Sequence, residues 1–331
     1  MTVTQAQKAQ RFRALHRLPA DPRAPIAAAP PGAFLIANPW DVGSARILAG
    51  LGFEALATTS SGFAMSLGRL DGSVTRDEAL AHVRTIVDAT DLPVAADLEN
   101  CFGDDPGTVA ETIRLAAATG LVGGSVEDFT GDPQNPIYDF SLSVERVAAA
   151  ADAARSLPIP FTLTARAENF LHGRADLDDT IRRLQAFAQA GADVLFAPGL
   201  PNLDAIRKVC AAVAPHPVNV LAGMKGLSFS FADLTAAGVR RISLGGSLAR
   251  YAYGSFLAAA REAISTGTFA YVDRTLPRNE LDGLMSGAGK APEVHELGKA
   301  PRIDESYETP KMAGAGKAPQ IEEKKTPARM A

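Results

Sequence analysis

The chain has 331 residues, 47% of them hydrophobic and 21% charged, with a formal net charge of −4 at pH 7. This acidic balance argues against a nucleic-acid-binding surface and gives no polybasic membrane signal. No apolar run approaches the ~20 residues of a transmembrane helix, and the basic N-terminus lacks the apolar core of a secretory signal. Two cysteines, Cys101 and Cys210, predict no disulfide framework. We therefore expect a cytoplasmic protein.

The N-terminal segment, 1–32, contains a predicted amphipathic helix at 4–18 and a connector rich in proline and alanine. From residue 33 to about 270, apolar strand candidates alternate with helical stretches. The predicted strands lie at 33–37, 55–59, 93–97, 122–126, 159–165, 193–197, 218–222 and 240–245. The predicted helices lie at 43–50, 75–89, 107–119, 141–156, 176–190, 202–213, 230–237 and 247–265.

This alternation predicts parallel strands joined by right-handed crossovers. Eight such units predict an α/β fold, a (β/α)8 TIM barrel that occupies residues 33–270. An open doubly wound sheet is the alternative. That sheet would need a glycine-rich phosphate turn after the first strand, where the sequence reads Asn38-Pro39-Trp40-Asp41-Val42-Gly43.

The C-terminal segment, 271–331, is rich in glycine, proline, lysine and glutamate. Its low apolar content predicts a mostly irregular, flexible tail. The sequence Gly-Ala-Gly-Lys-Ala-Pro occurs at 287–292 and again at 314–319. It lacks the spacing of a Walker motif, so we do not interpret it as a phosphate-binding loop. A docking motif for a protein partner is the hypothesis that remains.

Two carboxylates, Asp97 and Glu99, mark the end of the predicted third strand. Residues i and i+2 of a strand point to the same side, and barrel enzymes carry their sites at the C-terminal strand ends. Two adjacent acids repel each other, and burying them without a partner is costly. Oxygen ligands with no nearby histidine or cysteine cluster favour Mg²⁺ or Mn²⁺. The alternative is a loop with two solvated acids.

Other predicted strand ends add polar side chains to this site. The second strand is followed by small residues whose backbone amides can hold an anion, namely Ser60, Ser61 and Gly62. Further candidates are Trp40, Asp71, Glu127, Arg166 and Asn219. We assign Asp97 as a direct metal ligand, with Glu99 and Glu127 bound directly or through water. Arg166 would pair with an anionic substrate and stabilise a developing enolate.

Three of these assignments have structural alternatives. Arg166 can instead form a structural ion pair with Glu168, and Glu127 can belong to the first turn of a helix. Trp40 can serve packing alone.

Together these residues resemble the phosphoenolpyruvate mutase/isocitrate lyase superfamily, over a stretch from about Phe34 to Phe269. The motifs that carry the resemblance are Asn38-Pro39-Trp40-Asp41, the Thr-Ser-Gly region ending at Gly62, Asp71-Gly72, Ala96-Asp97-Leu98-Glu99-Asn100-Cys101-Phe102-Gly103, Ser125-Val126-Glu127-Asp128 and Thr164-Ala165-Arg166. The resemblance implies a (β/α)8 barrel, tetramers that exchange their last helices, and cleavage or rearrangement of a C–C or C–P bond beside a carbonyl.

The resemblance also implies roles for individual residues. It places Asp97, Glu99 and Glu127 on the metal-site acids, and Asp71 on an acid near the metal. It places Ser60, Ser61 and Gly62 on the loop that binds the substrate carboxylate, and Arg166 on the arginine that faces the substrate.

The segment after the fourth strand departs from the family pattern. Isocitrate and methylisocitrate lyases carry a Lys-x-Cys-Gly-His motif there, whereas residues 129–139 contain no lysine, cysteine or histidine. The mutases and the hydrolase place a lysine and often an asparagine in this lid, and only the asparagine, Asn135, is present. Tyr138 or His172, or a bound water, is therefore the candidate to supply the proton in place of the missing acid, with an exposed loop histidine as the alternative for His172.

The leading hypothesis is an Mg²⁺-dependent lyase or decarboxylase. It would cleave a C–C bond beside a carbonyl in a small 2-oxo or 2-hydroxy di- or tricarboxylate, as an oxaloacetate decarboxylase or a methylisocitrate lyase does. Oxaloacetate decarboxylation needs least from the lid, since the metal alone can act as electron sink. The alternatives are a phosphonopyruvate or phosphoenolpyruvate mutase or hydrolase, and a non-catalytic barrel scaffold with an interaction tail.

For partners, we expect a small carboxylate substrate and a homo-oligomer, either a tetramer or a dimer. We expect neither nucleic acid nor membrane as a partner.

Overall fold

The computed structural model describes residues 3–17, 32–226 and 228–286. Its strands are β1 (Phe34–Ile36), β2 (Leu56–Ala57), β3 (Val94–Asp97), β4 (Gly123–Glu127), β5 (Thr162–Arg166), β6 (Val194–Phe196), β7 (Val218–Leu221) and β8 (Arg241–Ser243). Its helices are α1 (Gln5–Leu15), α2 (Val42–Gly50), α3 (Ser60–Ser66), α4 (Arg76–Asp88), α5 (Pro106–Ala118), α6 (Phe140–Arg155), α7 (Leu177–Ala190), α8 (Leu203–Val213), α9 (Phe231–Ala236), α10 (Ser247–Thr266) and α11 (Arg278–Met285).

The eight strands form one parallel sheet in the order β1-β8-β7-β6-β5-β4-β3-β2. A parallel bridge between Ala37 and Leu56 joins the two outer strands and closes the sheet. The predicted (β/α)8 barrel is therefore confirmed, and the C-terminal ends of all eight strands meet at one mouth.

Helix α7 shows how the local sequence sets an element. Asp176 caps its N-terminus by accepting a hydrogen bond from the amide of Asp179 at 2.9 Å. Leu184 and Phe187 are fully buried on its inner face. The helix ends at Gly191, whose φ of 108° is a left-handed conformation that glycine adopts without penalty. Both ends agree with the predicted span of 176–190.

Two α-helices and one 3-10 helix were not predicted. Helix α3 begins at Ser60, inside the segment predicted as a small-residue loop, and the Thr59 side chain caps it through the amide of Gly62 at 3.3 Å. Seven residues are too few to show a helical period. Helix α11 and a 3-10 helix at Ala270–Arg274 occupy the start of the predicted tail. The rest of that tail, with both Gly-Ala-Gly-Lys-Ala-Pro copies, lies outside the described residues.

Helix α1, predicted at 4–18, closes the N-terminal end of the barrel. Its Phe12 and Leu15 are buried. A methyl group at Gly123 of β4 would lie 2.9 Å from Phe12 Cε1, so the phenyl ring fills the space that the glycine leaves. Arg240 Nε donates to the carbonyl of Leu15 at 2.9 Å. The barrel floor is thus a packed surface rather than an opening. None of the described helices combines the length and the apolar character needed to cross a membrane.

Candidate active site

Arg166, at the end of β5, contacts three carboxylates at the barrel mouth. Its Nη1 lies 2.8 Å from Asp97 Oδ1, its Nη2 2.9 Å from Glu127 Oε2, and its Nε 2.8 Å from Glu168 Oε1. Strands β3, β4 and β5 are successive neighbours, and their register pairs Glu127 directly with Arg166. Burial disfavours the charged guanidinium, yet the surrounding acids outweigh it and hold the pKa of Arg166 well above its usual value. The guanidinium is therefore a fixed positive charge.

The sequence left open whether Arg166 pairs structurally with Glu168 or faces a substrate. The pair with Glu168 exists, but it is one of three carboxylate contacts, and Arg166 also lines the cavity at the barrel mouth. Glu168 itself was not predicted as a site residue. It follows Arg166 by two positions, the spacing that already linked Asp97 with Glu99.

Asp97 is positioned from the β2 side of the barrel as well. The Ser60 hydroxyl donates to Asp97 Oδ2 at 2.9 Å, and the Ser60 amide points to the same oxygen at 3.3 Å. The backbone amide of Asp97 donates to the Thr58 hydroxyl at 3.2 Å. Ser60 and Arg166 therefore hold the Asp97 carboxylate from two sides, while Thr58 holds its backbone.

The acids of the site crowd one another. Burial, followed by repulsion from Asp97 and Asp71, raises the pKa of Glu99 to about 7. Burial and the charge of Asp97 also raise the pKa of Asp71. Burial raises the pKa of Glu127 well above its usual value, with Arg166 opposing it. An added cation would relieve this repulsion.

The donor set fits Mg²⁺ better than a metal that needs a protein cage. Within residues 3–17, 32–226 and 228–286, no group of three histidine, cysteine or acidic side chains is arranged as a ready-made metal site. Magnesium is usually held by one or two carboxylates and keeps several waters. The oxygens of Asp97, with Glu99 and Glu127 nearby, are suited to that mode, and they remain the predicted ligands.

A cavity of about 290 Å³ opens at the mouth of the barrel. Of the predicted site residues, those that line it are Ser60, Ser61, Asp71, Asp97, Arg166 and Asn219. Those that do not line it are Trp40, Gly62, Glu99, Glu127, Tyr138 and His172. Glu99 borders a small adjoining cavity that Asp97 also lines. Ser60, Ser61, Asp71, Asp97 and the Arg166 guanidinium thus share a single chamber.

Trp40 and Gly62 pack against each other beside this chamber. A methyl group at Gly62 would lie 2.9 Å from Trp40 Cβ and 2.6 Å from Thr59 Cγ2. The Trp40 carbonyl is 2.9 Å from His82 Nε2. This geometry gives both residues a packing role at the start of α3, and their predicted contact with substrate stays a prediction.

The loop that follows β3 and carries Glu99 has an unusual backbone. Glu99, Cys101 and Phe102 have φ values of 50°, 60° and 61°. This left-handed region costs about 1–2 kcal/mol for each residue with a side chain. The buried Arg146 donates to the carbonyls of Asn100, Gly103 and Asp104. Such contacts keep a strained loop in one conformation.

Tyr138, a candidate proton donor, belongs to the support of this loop. Its hydroxyl donates to the Asp104 carboxylate and lies 3.3 Å from Asn100 Nδ2. Its ring lies under the Arg146 guanidinium at 4.3 Å. Burial and the hydrogen bond to Asp104 raise the pKa of Tyr138 to about 12.

His172, the other candidate, stacks on Phe129 with ring centroids 3.8 Å apart. Its Nε2 lies 3.8 Å from Glu168 Oε2, and partial burial lowers its pKa despite that carboxylate. His172 therefore touches the acid cluster through Glu168. It is not the freely exposed loop histidine that the sequence left open.

Asn38 and Arg241 are two of the cavity residues that were not predicted as site residues. The Asn38 amide accepts from the backbone amides of Leu244 and Gly245 at 2.9 and 2.8 Å, and it donates to the Ala57 carbonyl at 2.9 Å. It thereby ties the ends of β2 and β8 together. Arg241, the first residue of β8, lines the lower part of the cavity. Nothing in the sequence around Arg241 indicated that this charged side chain, at the start of a strand, lies inside the barrel.

Comparison with known proteins found a matching family model and several relatives. A family model described as phosphoenolpyruvate phosphomutase matches residues 27–264. A crystal structure from Burkholderia cenocepacia J2315, provisionally described as a lyase/mutase, is 56% identical, covers 84% of this chain and 95% of its own, and superposes with a TM-score of 0.79. An uncharacterized Mycobacterium tuberculosis protein is 29% identical over 254 residues, 76% of this chain and 92% of the relative. The 2-methylisocitrate lyase of Escherichia coli (strain K12) is 32% identical over 170 residues, 49% of this chain and 56% of that enzyme.

Proposed function

The chain belongs to the phosphoenolpyruvate phosphomutase family, and from this premise we propose that it is an Mg²⁺-dependent carbon–carbon lyase. The substrate would be a small 2-oxo or 2-hydroxy di- or tricarboxylate, cleaved beside its carbonyl. The observation that carries the proposal is the placement of Arg166, a fixed positive charge that three carboxylates hold in the wall of the cavity. The relation to 2-methylisocitrate lyase supports carbon–carbon cleavage.

The residues of the chain suggest a division of labour. Ser60 and Ser61 line the cavity next to Asp97 and would bind the carboxylate of the reacting unit. Asp97, with Glu99 and Glu127 directly or through water, would hold Mg²⁺, which polarises a carbonyl and accepts electron density from the breaking bond. Arg166 would donate hydrogen bonds to the same oxygen as negative charge develops there. Removing one preorganised donor of this kind typically costs about 10²–10³ in rate.

In a 2-oxo acid such as oxaloacetate, the departing carboxylate would leave as CO2, and the electron pair of the broken C–C bond would stay on the carbon next to the carbonyl, giving an enolate. In a 2-hydroxy acid, the hydroxyl would lose its proton as its carbon leaves as a new carbonyl, and the electron pair would stay on the carbon next to the remaining carboxylate. In both cases a proton would then return to the carbon that kept the electron pair. Tyr138 and His172 do not line the cavity. We therefore favour a cavity water as the donor and assign Tyr138 to holding the loop that carries Glu99. His172 would help to position the Glu168 carboxylate and, through it, the Arg166 guanidinium.

A titration with oxalate, which mimics the enolate of pyruvate, tests the proposal. We expect oxalate to bind by calorimetry only when Mg²⁺ is present, and Asp97→Ala or Arg166→Gln to weaken binding at least about 100-fold. Glu111→Gln is the matched control, because Glu111 is a surface acid that pairs with Arg76 away from the cavity. Oxalate binding that survives in Asp97→Ala would refute the site.

Turnover separates the proposed activity from its two alternatives. Oxaloacetate and 2-methylisocitrate report carbon–carbon cleavage, whereas phosphonopyruvate reports carbon–phosphorus chemistry. If the protein turns over phosphonopyruvate alone, the assignment as a lyase is wrong and the protein is a mutase or hydrolase. If the barrel is folded but binds neither Mg²⁺ nor oxalate, the result favours the non-catalytic scaffold, in which the tail contacts a protein partner.

A further inference from the structure

Barrels of this kind are usually filled by valine, isoleucine and leucine, but here several small and polar residues line the cavity beside Ile36, Phe196 and Leu221. The cavity is lined on one side by Ala57, Ala95 and Ser125. On the other side it is lined by Thr164, Asn219 and Arg241. The chamber therefore extends below the level of Arg166 and is larger than an oxalate-sized unit at the mouth requires.

Arg241 is a charged side chain that is 7% exposed in this lower part of the chamber. Its Nε donates to Asn219 Oδ1 at 2.8 Å, and its Nη2 donates to Thr164 Oγ1 at 3.1 Å. Its Nη1 lies 3.3 Å from Nε2 of His16, whose Nδ1 is 2.8 Å from the Phe12 carbonyl. The Nδ1 must donate to that carbonyl, so Nε2 is the acceptor and the imidazole is neutral.

All these partners of Arg241 are uncharged. Throughout the described part of the chain, no carboxylate lies within ion-pair distance of its guanidinium. Burial, together with repulsion from Arg166, lowers the pKa of Arg241 to about 9, which leaves it charged at neutral pH. A buried charge without a counter-ion is costly. An anion bound in the chamber would compensate it.

The position of Arg241 matches the far end of a bound substrate. Arg241 is hydrogen-bonded to Thr164, which precedes Arg166 by two residues and lies on the same side of β5. Two residues of a strand span about 6.6 Å, so the two guanidiniums occupy successive layers of the chamber. A dicarboxylate of four or five carbons can reach both layers. Oxalate, with two carbons, can occupy only the upper one.

We propose that Arg241 binds the second, distal carboxylate of the substrate at the floor of the active-site cavity, with Asn219 and Thr164 orienting its guanidinium. The inference rests on the proposed function, because it takes the first carboxylate to lie at Ser60, Ser61 and the metal. It makes Arg241 a specificity residue that selects dicarboxylates over pyruvate-sized monocarboxylates.

The test compares two ligands in the full-length protein with Mg²⁺. Arg241→Gln should weaken binding of malate, a four-carbon dicarboxylate, on the order of 100-fold, and should leave oxalate binding within a factor of about three. Arg241→Lys keeps the charge and should restore part of the malate affinity. In turnover, Arg241→Gln should raise KM for the dicarboxylate more than it lowers kcat.

Arg240→Gln is the matched control. Arg240 donates to the carbonyl of Leu15 at the end of α1 and to that of Gly32 before β1, but it does not line the cavity. It should lower thermal stability without changing the ratio of malate to oxalate affinity. Equal weakening of both ligands in Arg241→Gln would make Arg241 a structural anchor and overturn the inference.

Two further outcomes are distinguishable. If wild-type protein fails to bind oxalate with Mg²⁺, the proposed function fails, whatever Arg241 does. If phosphonopyruvate binds more tightly than malate and loses more affinity in Arg241→Gln, the distal group is a phosphonate and the carboxylate assignment is wrong.

Discussion

The guanidinium of Arg166 reaches across the barrel mouth from β5 to the carboxylate of Asp97 on β3, with 2.8 Å between Nη1 and Oδ1. The intervening strand, β4, supplies Glu127 to the same guanidinium at 2.9 Å. Three successive strands thus end in one charge network. The metal-site acids and the substrate-facing arginine of the proposed mechanism are therefore parts of one electrostatic unit.

Replacing Arg166 should destabilise the fold in a way that depends on pH. Arg166→Met leaves the buried Glu127 and Glu168 and the half-buried Asp97 without their shared cation, which should cost about 3–5 kcal/mol at pH 8. At pH 5 the loss should be smaller, because the raised pKa of Glu127 lets it take up a proton. Urea unfolding at the two pH values measures this difference. Arg207→Gln, which removes an exposed pair with Asp204, should change nothing detectable, and an equal loss at both pH values would contradict the coupling.

The matched pair Tyr138→Phe and Asp104→Ala should separate the two possible roles of the phenol. Both substitutions remove the hydrogen bond between the Tyr138 hydroxyl and the Asp104 carboxylate. If Tyr138 holds the loop of Glu99, both variants should lose similar stability, about 1 kcal/mol each, and similar activity. If the phenol is the proton donor, only Tyr138→Phe should lower kcat strongly, by about 10²–10⁴. We expect the first result.

Cys101 should be less favourable than glycine for the backbone that it adopts. It has a φ of 60° and is fully buried. Both Cys101→Ala and Cys101→Gly lose the thiol, but only glycine removes the steric cost of the left-handed conformation. Cys101→Gly should therefore be more stable than Cys101→Ala by about 1 kcal/mol in chemical unfolding. A more stable alanine variant would show that packing of the β-carbon outweighs the backbone strain.

His16 should make the protein less stable as the pH falls below about 6.5. Burial, with repulsion from Arg241, lowers its pKa well below the usual value. In that range the unfolded chain binds a proton that the folded chain does not, so the free energy of unfolding decreases by up to about 1.4 kcal/mol per pH unit. Above pH 7 both states are neutral and the effect vanishes. Partial burial lowers the pKa of His82 and His172 as well, and these residues add slopes of the same sign.

Unfolding of wild-type protein and His16→Gln between pH 5 and 8 measures the contribution of His16. The variant should show a flatter dependence below pH 6.5 and an unchanged one above it. An identical slope in the two proteins would mean that His16 is protonated in the folded state, next to Arg241, contrary to the geometry at the barrel floor.

Much of the fold and part of the candidate site followed from local sequence. Alternating apolar strands and amphipathic helices have periods that a short window reveals, and the predicted barrel and family resemblance are both confirmed. Parallel strands bring their C-terminal ends to one edge, so residues such as Asp97 and Arg166 could be placed together without knowing any contact. The roles assigned to them remain predictions that the oxalate titration tests.

Tertiary structure alone decided the features that depend on residues far apart in the chain. Arg146 supports the loop of Glu99 from α6, and Arg241 meets His16 across 225 positions of sequence. Short elements such as α3 lack enough residues to show a period, so their capping residues looked like a loop. The sequence by itself determined which elements form and which strand ends carry acids, because those depend on periodicity and residue type. The burial of Arg241 with no counter-ion among the residues that the structure describes, and the place of Tyr138 outside the cavity, depend on which surfaces meet when the barrel closes.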